Sequence, residues 1–325
     1  MDDKFESLLR LTSKLYYVDG LSQTEVADLT GISRPKVSRL LTRALNEGIV
    51  QITVEDYNPR HPVLEEALKQ HFKLNNAIVI KLLVESSVES MRSTIGYLAA
   101  PPVSEWIYPN TIVGVSGSRS LYSLIQHMKP SSGTNGITAV QMMGNIGPNV
   151  SHYDSIELCR ALATSFHGTY YVLNAPAFAS EAQSYQILMA HQDVMKIWEL
   201  YEAMQISFVG IGSLKHSSFI ERGFIGPEEV EKLQNCGVVG EMCGRFYDRS
   251  GQECVPEYKN RVIGISLDEL REKREVVAVT CGAERAGAVY AALVGGLIKS
   301  LVIDENGAKA VLKKAKAAFD PAERI

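Results

Sequence analysis

No cysteine pair in this chain stands at Cys-x-x-Cys spacing. The five cysteines (Cys159, Cys236, Cys243, Cys254, Cys281) are odd in number and scattered late in the chain. A zinc site or a disulfide framework is therefore not expected, and reduced thiols fit a cytoplasmic protein. His127, His152, His167, His191 and His216 show no metal-ligand spacing, so neither a metal nor a cofactor is expected. Long apolar runs are also missing. Ala291 to Ile303 is broken by Lys299 and is too short to span a bilayer. The opening Met-Asp-Asp-Lys-Phe-Glu has no apolar signal-peptide core. Excess positive charge is missing as well: 33 Lys and Arg stand against 37 Asp and Glu, a net of −4. General polycation behaviour is excluded, and any basic site must be local. Neither a Walker A loop nor a dinucleotide fingerprint occurs.

What is present is 325 residues, 46% of them apolar. That is enough for about two domains without staples. Residues 4–18 space Phe5, Leu8, Leu9, Leu11, Leu15 and Tyr16 as one face of a helix that stops at Gly20. Ser22-Gln23-Thr24-Glu25 reads as a capping box opening a second helix that ends at Gly31. After a three-residue turn, Ser33 and Pro35 suit the start of a third helix. Its apolar face is Val37, Leu40, Leu41, Ala44 and Leu45, and Gly48 closes it. This is a helix-turn-helix pattern. Ile49 to Val54 alternates as a short strand or wing would.

Charge sharpens the pattern. Residues 1–58 hold seven cations and nine acids, yet Arg34, Lys36, Arg39 and Arg43 fall within ten residues that contain no acid. They lie opposite the apolar stripe. Two readings fit: a solvated basic helix in an interaction module, or a recognition helix with double-stranded operator DNA as partner. Capping box, turn and charge agree on the second. Ser33, Arg34, Pro35, Lys36, Ser38, Arg39 and Arg43 are the candidate DNA-binding residues, cations reaching base edges or phosphates and hydroxyls bonding phosphate oxygens.

Asn58-Pro59-Arg60-His61-Pro62 breaks the chain. The division expected is a DNA-binding domain at 1–58, a linker and connecting helix at 59–75, and an effector and oligomerisation domain at 76–325. The connecting helix, marked by Leu64, Leu68 and Phe72, has two roles open to it: dimerisation, or packing on its own domain. Beyond it, apolar runs at 77–80, 112–115, 137–142, 170–173, 207–211, 276–279 and 301–303 alternate with helical patterns at 88–100, 120–128, 155–166, 181–190, 227–234, 284–298 and 306–317. The fold class expected is α/β, with a parallel sheet covered on both faces and ligands beyond the carboxyl ends of its strands. Three strand ends carry small polar loops: Gly114-Val115-Ser116-Gly117-Ser118-Arg119-Ser120, Gly144-Asn145-Ile146-Gly147 and Gly210-Ile211-Gly212. Each is compatible with an ordinary turn. In the first, the serines and Arg119 also make a phosphate or sugar-phosphate cradle.

The text GLSQTEVADLTGISRPKVSRLLTRALNEGIV, followed in order by VGVSGSRSL, VGIG, GEMCGRFYDRSGQ and CGAERAGAVYAALVGGLIKSLVIDE, resembles the SorC family of bacterial sugar-responsive transcriptional regulators. The resemblance covers nearly the whole chain. It implies a C-terminal domain similar in fold to glucosamine-6-phosphate deaminase and ribose-5-phosphate isomerase. That domain would bind a phosphorylated sugar or polyol and tune operator affinity in a homo-oligomer, a dimer or tetramer, away from the membrane. By position, the resemblance places Ser116, Gly117, Ser118, Arg119 and Ser120 at the phosphate-side loop. Gly144, Asn145 and Asp154 fall around the sugar, Glu241 at an acid that accepts hydroxyls, and Arg222 at a basic ligand position. Arg285 stands where the family usually has Lys in a Gly-Gly-x-x-Lys pattern, with Cys281 in place of the first Gly. Ser118 stands where Gly is common, and a positive φ there would strain it. Ser120 replaces a common Thr, and Glu241 a frequent Asp. Two other functions are weighed: a sugar-phosphate isomerase or deaminase with a DNA-binding appendage, in which Asp154 or Glu241 would be the base, and a ligand-free oligomeric DNA binder. No catalytic residues are assigned, because no acid–base pair is evident.

Overall fold

The computed structural model describes residues 3–319 other than 56, 132, 134–135 and 255–258. The extreme ends of the expected domain ranges, 1–2 and 320–325, lie outside the described residues. The chain forms two compact units, Met1–Tyr57 and Asn58–Ile325.

The first unit is helical. Helix α1, Asp3–Ser13, runs on into a turn of π-helix, Lys14–Val18. Helix α2, Gln23–Thr30, opens on the Ser22–Glu25 capping box and ends at Gly31, whose φ of 68° needs glycine. Helix α3, Arg34–Asn46, buries Val37, Leu40, Leu41 and Ala44 against Leu9 and Val26. The strand expected at 49–54 does not form. The Val50 amide instead donates to Ala44 O (3.1 Å), turning the chain back over the end of α3. Ile52 and Val54 stay exposed. An alternating pattern gives a strand only where a neighbour accepts its ladder, and no strand stands beside it among the described residues of this unit.

The second unit is an α/β layer structure. Its strands are β1 Asn76–Ile80, β2 Ile112–Val115, β3 Thr138–Gln141, β4 Thr169–Tyr171, β5 Ile206–Gly210, β8 Glu275–Val279 and β9 Ser300–Asp304. They make one seven-stranded parallel sheet in the order β1-β9-β8-β5-β2-β3-β4. Continuous apolar strands such as Val277–Val279 and Leu301–Ile303 are buried on both faces. The edge strand β4 is the exception: Tyr170 and Tyr171 are exposed. On one face pack helices α5 Val88–Ser104, α6 Arg119–Ile125 and α7 Ser155–Ser165. On the other lie α4 Pro62–Phe72, α9 Gln192–Ala203, α13 Ala286–Val294 and α14 Glu305–Phe319, with α8 Ala182–Met189 against α9. The connecting helix α4 packs on its own domain through the fully buried Leu68. Arg60 forks onto Glu65 (both contacts 2.8 Å), which also accepts the Val79 amide.

Elements beyond those expected are α9, the hairpin of β6 Gly240–Met242 and β7 Arg245–Tyr247, and α12 Leu267–Glu272. Helix α9 has a signal in Val194, Ile197, Trp198 and Tyr201, spaced three, four and seven apart, while the hairpin and α12 are too short for a period to show. A signal for α12 exists in the Ser266–Glu269 capping box. Short helices α10 Ser218–Glu221 and α11 Pro227–Asn235 complete the fold.

Candidate effector cleft and nucleic-acid face

In the first unit every candidate DNA residue is exposed: Ser33, Arg34, Pro35, Lys36, Ser38, Arg39 and Arg43. Pro35, Ser38 and Arg39 lie on the side of α3 opposite its buried stripe, while Arg34, Lys36 and Arg43 flank that stripe at three- and four-residue spacing from Val37 and Leu40. Ser33 sits at the N-cap position in extended conformation, but its hydroxyl makes no capping bond. Arg39 Nε donates weakly to Pro35 O (3.4 Å). Arg43 differs from the others. It pairs with Glu47 (2.6 Å), and its guanidinium lies 4.7 Å from the centre of the Phe5 ring, so it ties α3 to α1.

In the second unit a cleft of about 810 Å³, counting its open mouth, lies beyond the carboxyl ends of β2, β3, β5 and β8. Nine of the expected effector residues line it: Gly117, Ser118, Arg119, Ser120, Gly144, Asn145, Asp154, Glu241 and Arg285. Ser116 and Arg222 do not. Ser116 is buried, and its Oγ accepts the Gly210 amide (3.2 Å), joining β2 to β5. Arg222 stands behind the wall, donating to Ile146 O (2.9 Å) and forking onto Asp154. The lining also includes Arg92, Tyr153, His216, Ser218 and Cys243, which spacing along the chain did not single out.

The loop after β2 is set by Ser118. Its φ of −170° is extended, so no strain arises from replacing Gly. Its Oγ accepts the Ser120 and Leu121 amides (3.2 and 3.5 Å), capping α6. Those two amides are thereby satisfied within the loop, and the polar side chains it presents to the cleft are Arg119 and Ser120. Arg119 forks onto Glu221 and lies 5.1 Å from the Tyr153 ring, with Arg222 5.5 Å from the same ring. Glu221 and Arg222 are adjacent, so one short segment holds both the loop after β2 and the Asp154 loop. The Arg119 guanidinium holds the Glu221 carboxyl below its ordinary range.

The loop after β3 is oriented by the buried Gln141. Its Nε2 donates to Asn145 Oδ1 (3.0 Å) and Ser155 Oγ (3.1 Å), while its Oε1 accepts the Leu173 amide (2.9 Å). Asn145 is thereby left with its amide donors for the cleft. Gly144 cannot carry a side chain, since a Cβ would stand 2.4 Å from Pro176 O. Across the floor, Glu241 and Gly212 exchange backbone bonds (2.9 and 3.1 Å). A Cβ on Gly212 would meet Glu241 Oε2 at 2.7 Å. Burial pushes the Glu241 carboxyl up, opposed by the Gly244 amide that donates to Oε1 (3.0 Å). Burial also drives the Cys243 thiol up to about 12, so it is not a thiolate at neutral pH. Arg285 is buried and donates to Cys281 O (2.9 Å) and Glu284 (2.7 Å). The cleft thus sets three guanidiniums and serine hydroxyls beside an amide donor and a carboxyl, an arrangement suited to holding an anion and hydroxyls together. Among the described residues no helix is long and apolar enough to cross a membrane, and no group of three or more His, Cys, Asp or Glu could hold a metal.

Residues 60–313 match the Sugar-bind family model, described as "Putative sugar-binding domain". The chain is 28% identical over 313 residues to the deoxyribonucleoside regulator of Bacillus subtilis, covering 96% of this chain and 99% of that one. It is 29% identical over 307 residues to the sorbitol operon regulator of Klebsiella pneumoniae, covering 93% and 96%. The full-length crystal structure of that regulator, SorC, superposes with a TM-score of 0.75 at 28% identity over 96% of this chain and 99% of that one. These relatives bear the names of regulators, not of enzymes.

Proposed function

Because the chain belongs to the Sugar-bind family and is of the SorC type, we propose that it is a DNA-binding transcriptional regulator whose operator affinity is set by a small phosphorylated sugar or polyol. The reading places α3 in the major groove, with Arg34, Lys36, Ser38 and Arg39 toward the DNA and Arg43 bracing the helix against α1. The cleft takes the effector. Its phosphate meets Arg119, Ser120 and Arg285, and its hydroxyls meet Asn145 and Glu241. Ser116, Ser118 and Arg222 shape the walls, and Asp154 faces the cleft from its pair with Arg222. The protein works as a homo-oligomer in the cytoplasm, and the effector acts by binding two operator-affinity states unequally.

One observation carries this reading. Arginines from three separate elements line the same cleft as the glycine and serine loops, together with the Glu241 carboxyl. Thermal unfolding against C3 to C6 sugar and polyol phosphates, each beside its unphosphorylated parent, tests it. A ligand at 100 times its Kd stabilises by about 2.7 kcal/mol, a shift of several degrees for a domain of this size. A shift with a phosphate ester and none with its parent is expected, and the same ester should change operator affinity. A shift with the parent alone overturns the phosphate assignment.

A further inference from the structure

Beside the cleft lies a second hollow, of about 860 Å³ counting its open mouth, past the carboxyl ends of β3 and β4. Its floor is made by two segments that prolong those strands. The Asn145 amide donates to Ala175 O (2.9 Å), the Ala177 amide to Asn145 O (2.8 Å) and the Ile263 amide to Ala177 O (2.9 Å). Arg222 donates to Ile146 O (2.9 Å), and Pro176 has no N–H to offer. The polar backbone groups of the floor are thus largely taken up. Of the side chains around it only Asn145 and Asn174 are polar, and none is charged. The walls are Phe178, Phe219 and Phe224. Water finds few partners in such a place, and an apolar group is favoured there.

The rings are held in position. Phe219 is buried, and the Phe178 ring centre lies 6.1 Å from its own. The Arg261 guanidinium stands 4.7 Å from the Phe178 ring centre while its Nε donates to Ala179 O (3.0 Å). Phe224 remains 45% exposed. Its seat requires a glycine: a Cβ on Gly147 would stand 2.8 Å from Phe224 Cζ, and the φ of 76° at Gly147 itself favours glycine. A ring left half-exposed at the mouth of an apolar hollow, with two held rings beside it, offers a face to a further aromatic ring.

The hollow adjoins the effector cleft. Asn145 and Ile146 line both spaces. The segment from Phe219 to Phe224 also carries Glu221, paired with Arg119, and Arg222, paired with Asp154, so one short segment walls both. In the order β2-β3-β4, Arg119 follows the first strand, Asn145 the second, and Asn174 to Phe178 the third. At about 5 Å per strand, the far side of the hollow is about 10 Å from the Arg119 loop, with Asn145 between them. A terminal phosphate at Arg119 and a sugar over Asn145 leave the anomeric end of that sugar at the hollow.

We infer that the hollow is a subsite for an aromatic group, and that the effector is a sugar phosphate bearing an aromatic ring on its anomeric carbon. The phosphate meets Arg119, the sugar lies over Asn145, and the ring packs against Phe178 and Phe224 with Asn174 at its edge. The inference rests on the phosphoester reading given above.

Titration calorimetry on the full chain tests it. Pentose and hexose terminal phosphates are each set beside both anomers of the phenyl glycoside, and ribose phosphate also beside nucleoside monophosphates. For at least one pair the ring-bearing ester binds about tenfold tighter or more than its parent. In Phe224→Ala that ratio falls to about threefold or less, and Phe224→Tyr, which keeps the ring, restores most of it. Thermal unfolding of both variants without ligand confirms that they fold. A gain confined to the nucleotides makes the ring a nucleobase, and one confined to the phenyl glycosides makes it a simple aryl group. Ring-bearing esters no tighter than their parents, or a ratio untouched in Phe224→Ala, overturn this inference while leaving the phosphoester reading intact. So does an oligomer that dissociates in Phe224→Ala by sedimentation with no gain for any ring-bearing ester, which gives the hollow to a second copy of the chain. Unphosphorylated parents binding as well as their esters, or no ester binding at all, overturn both.

Discussion

Arginines serve the two units in opposite ways. On α3, Arg34, Lys36 and Arg39 are exposed and engage no carboxylate among the described residues. In the cleft, Arg92, Arg119 and Arg285 each already hold an acid, and two of the three are nearly buried. Free cations on a convex helix suit a polyanion, whose counterions they displace. Paired cations in a concave wall suit a small anion that must outcompete a resident carboxylate, which makes binding selective and geometrically defined. Under the proposed function, the contrast is one of reach on the first surface and exchange on the second.

The strongest way to break this contrast is to remove the free cations. The triple variant Arg34→Ala, Lys36→Ala, Arg39→Ala should abolish specific operator binding, and Arg39→Ala alone should cost about 1–3 kcal/mol if it meets a base. The salt dependence of the affinity, measured by fluorescence anisotropy, should flatten by about 0.9 for each phosphate that is no longer neutralised. Arg43→Ala gives the internal control. It removes the Phe5 and Glu47 interactions, so it should lower the unfolding midpoint by no more than a few degrees and leave the salt slope unchanged. A slope that falls as much as for Arg39→Ala would return Arg43 to the DNA face.

Next in size is Arg285→Ala. Losing a charged hydrogen-bond donor to the effector should cost about 1.5–3 kcal/mol of effector affinity by calorimetry, with operator binding in the absence of effector unaltered. Equal losses on both ligands would mean that the substitution damages the fold instead.

How much of this was legible in the chain follows from how local each signal is. The α2–turn–α3 unit is written within 25 residues by a capping box, a left-handed glycine and an apolar stripe; the first two appear as read, and of the stripe Val37, Leu40, Leu41 and Ala44 are buried while Leu45, on the last turn, is exposed. The glycine and serine loops are legible because each follows an apolar strand directly, and they meet at one cleft. What escaped depends on distant partners. The Arg119–Glu221 and Arg222–Asp154 pairs join positions 102 and 68 residues apart, and no spacing rule finds them. Ser116 looks like a ligand donor until β5 is placed beside β2 and takes its oxygen. Arg92 has a local signal, a cation in a buried stripe, but that it lines the cleft follows only from the strand order. The wing failed because alternation at 49–54 describes a surface, while pairing requires a neighbour.

A smaller effect separates the two regions by pH. Burial raises the Glu241 carboxyl, so the folded protein holds that proton more tightly than the unfolded chain does. This contribution is full below the ordinary carboxylate range and is lost as pH rises through the raised value. Glu241→Gln removes the buried charge and keeps an oxygen for the Gly244 amide. At pH 7.5 the variant should unfold about 2–4 °C higher, the scale of about 1 kcal/mol in a domain of this size. The gain should close toward pH 4. A variant less stable than the parent at pH 7.5 would show that the carboxylate is stabilised in place.

The finest test of exchange against reach is Glu221→Gln. Arg119 is about two-fifths exposed and Glu221 a third, so their pair contributes modestly, about 0.5–1 kcal/mol at most. If Glu221 is a competitor that a phosphate must displace, neutralising it frees the Arg119 charge. Affinity for a phosphate ester should then rise about two- to fivefold, within that range of energy. If Glu221 instead aims the guanidinium, affinity falls. The parent protein offers an independent check. The Glu221 carboxyl is held low by Arg119, so the pair persists above the ordinary carboxylate value and is lost only as pH falls through the depressed one. From pH 8 to pH 6 the Glu221 carboxylate thus stays ionised and in competition with the ester. The affinity gain of Glu221→Gln should therefore persist across that range, apart from the ester's own titration, which acts on parent and variant alike.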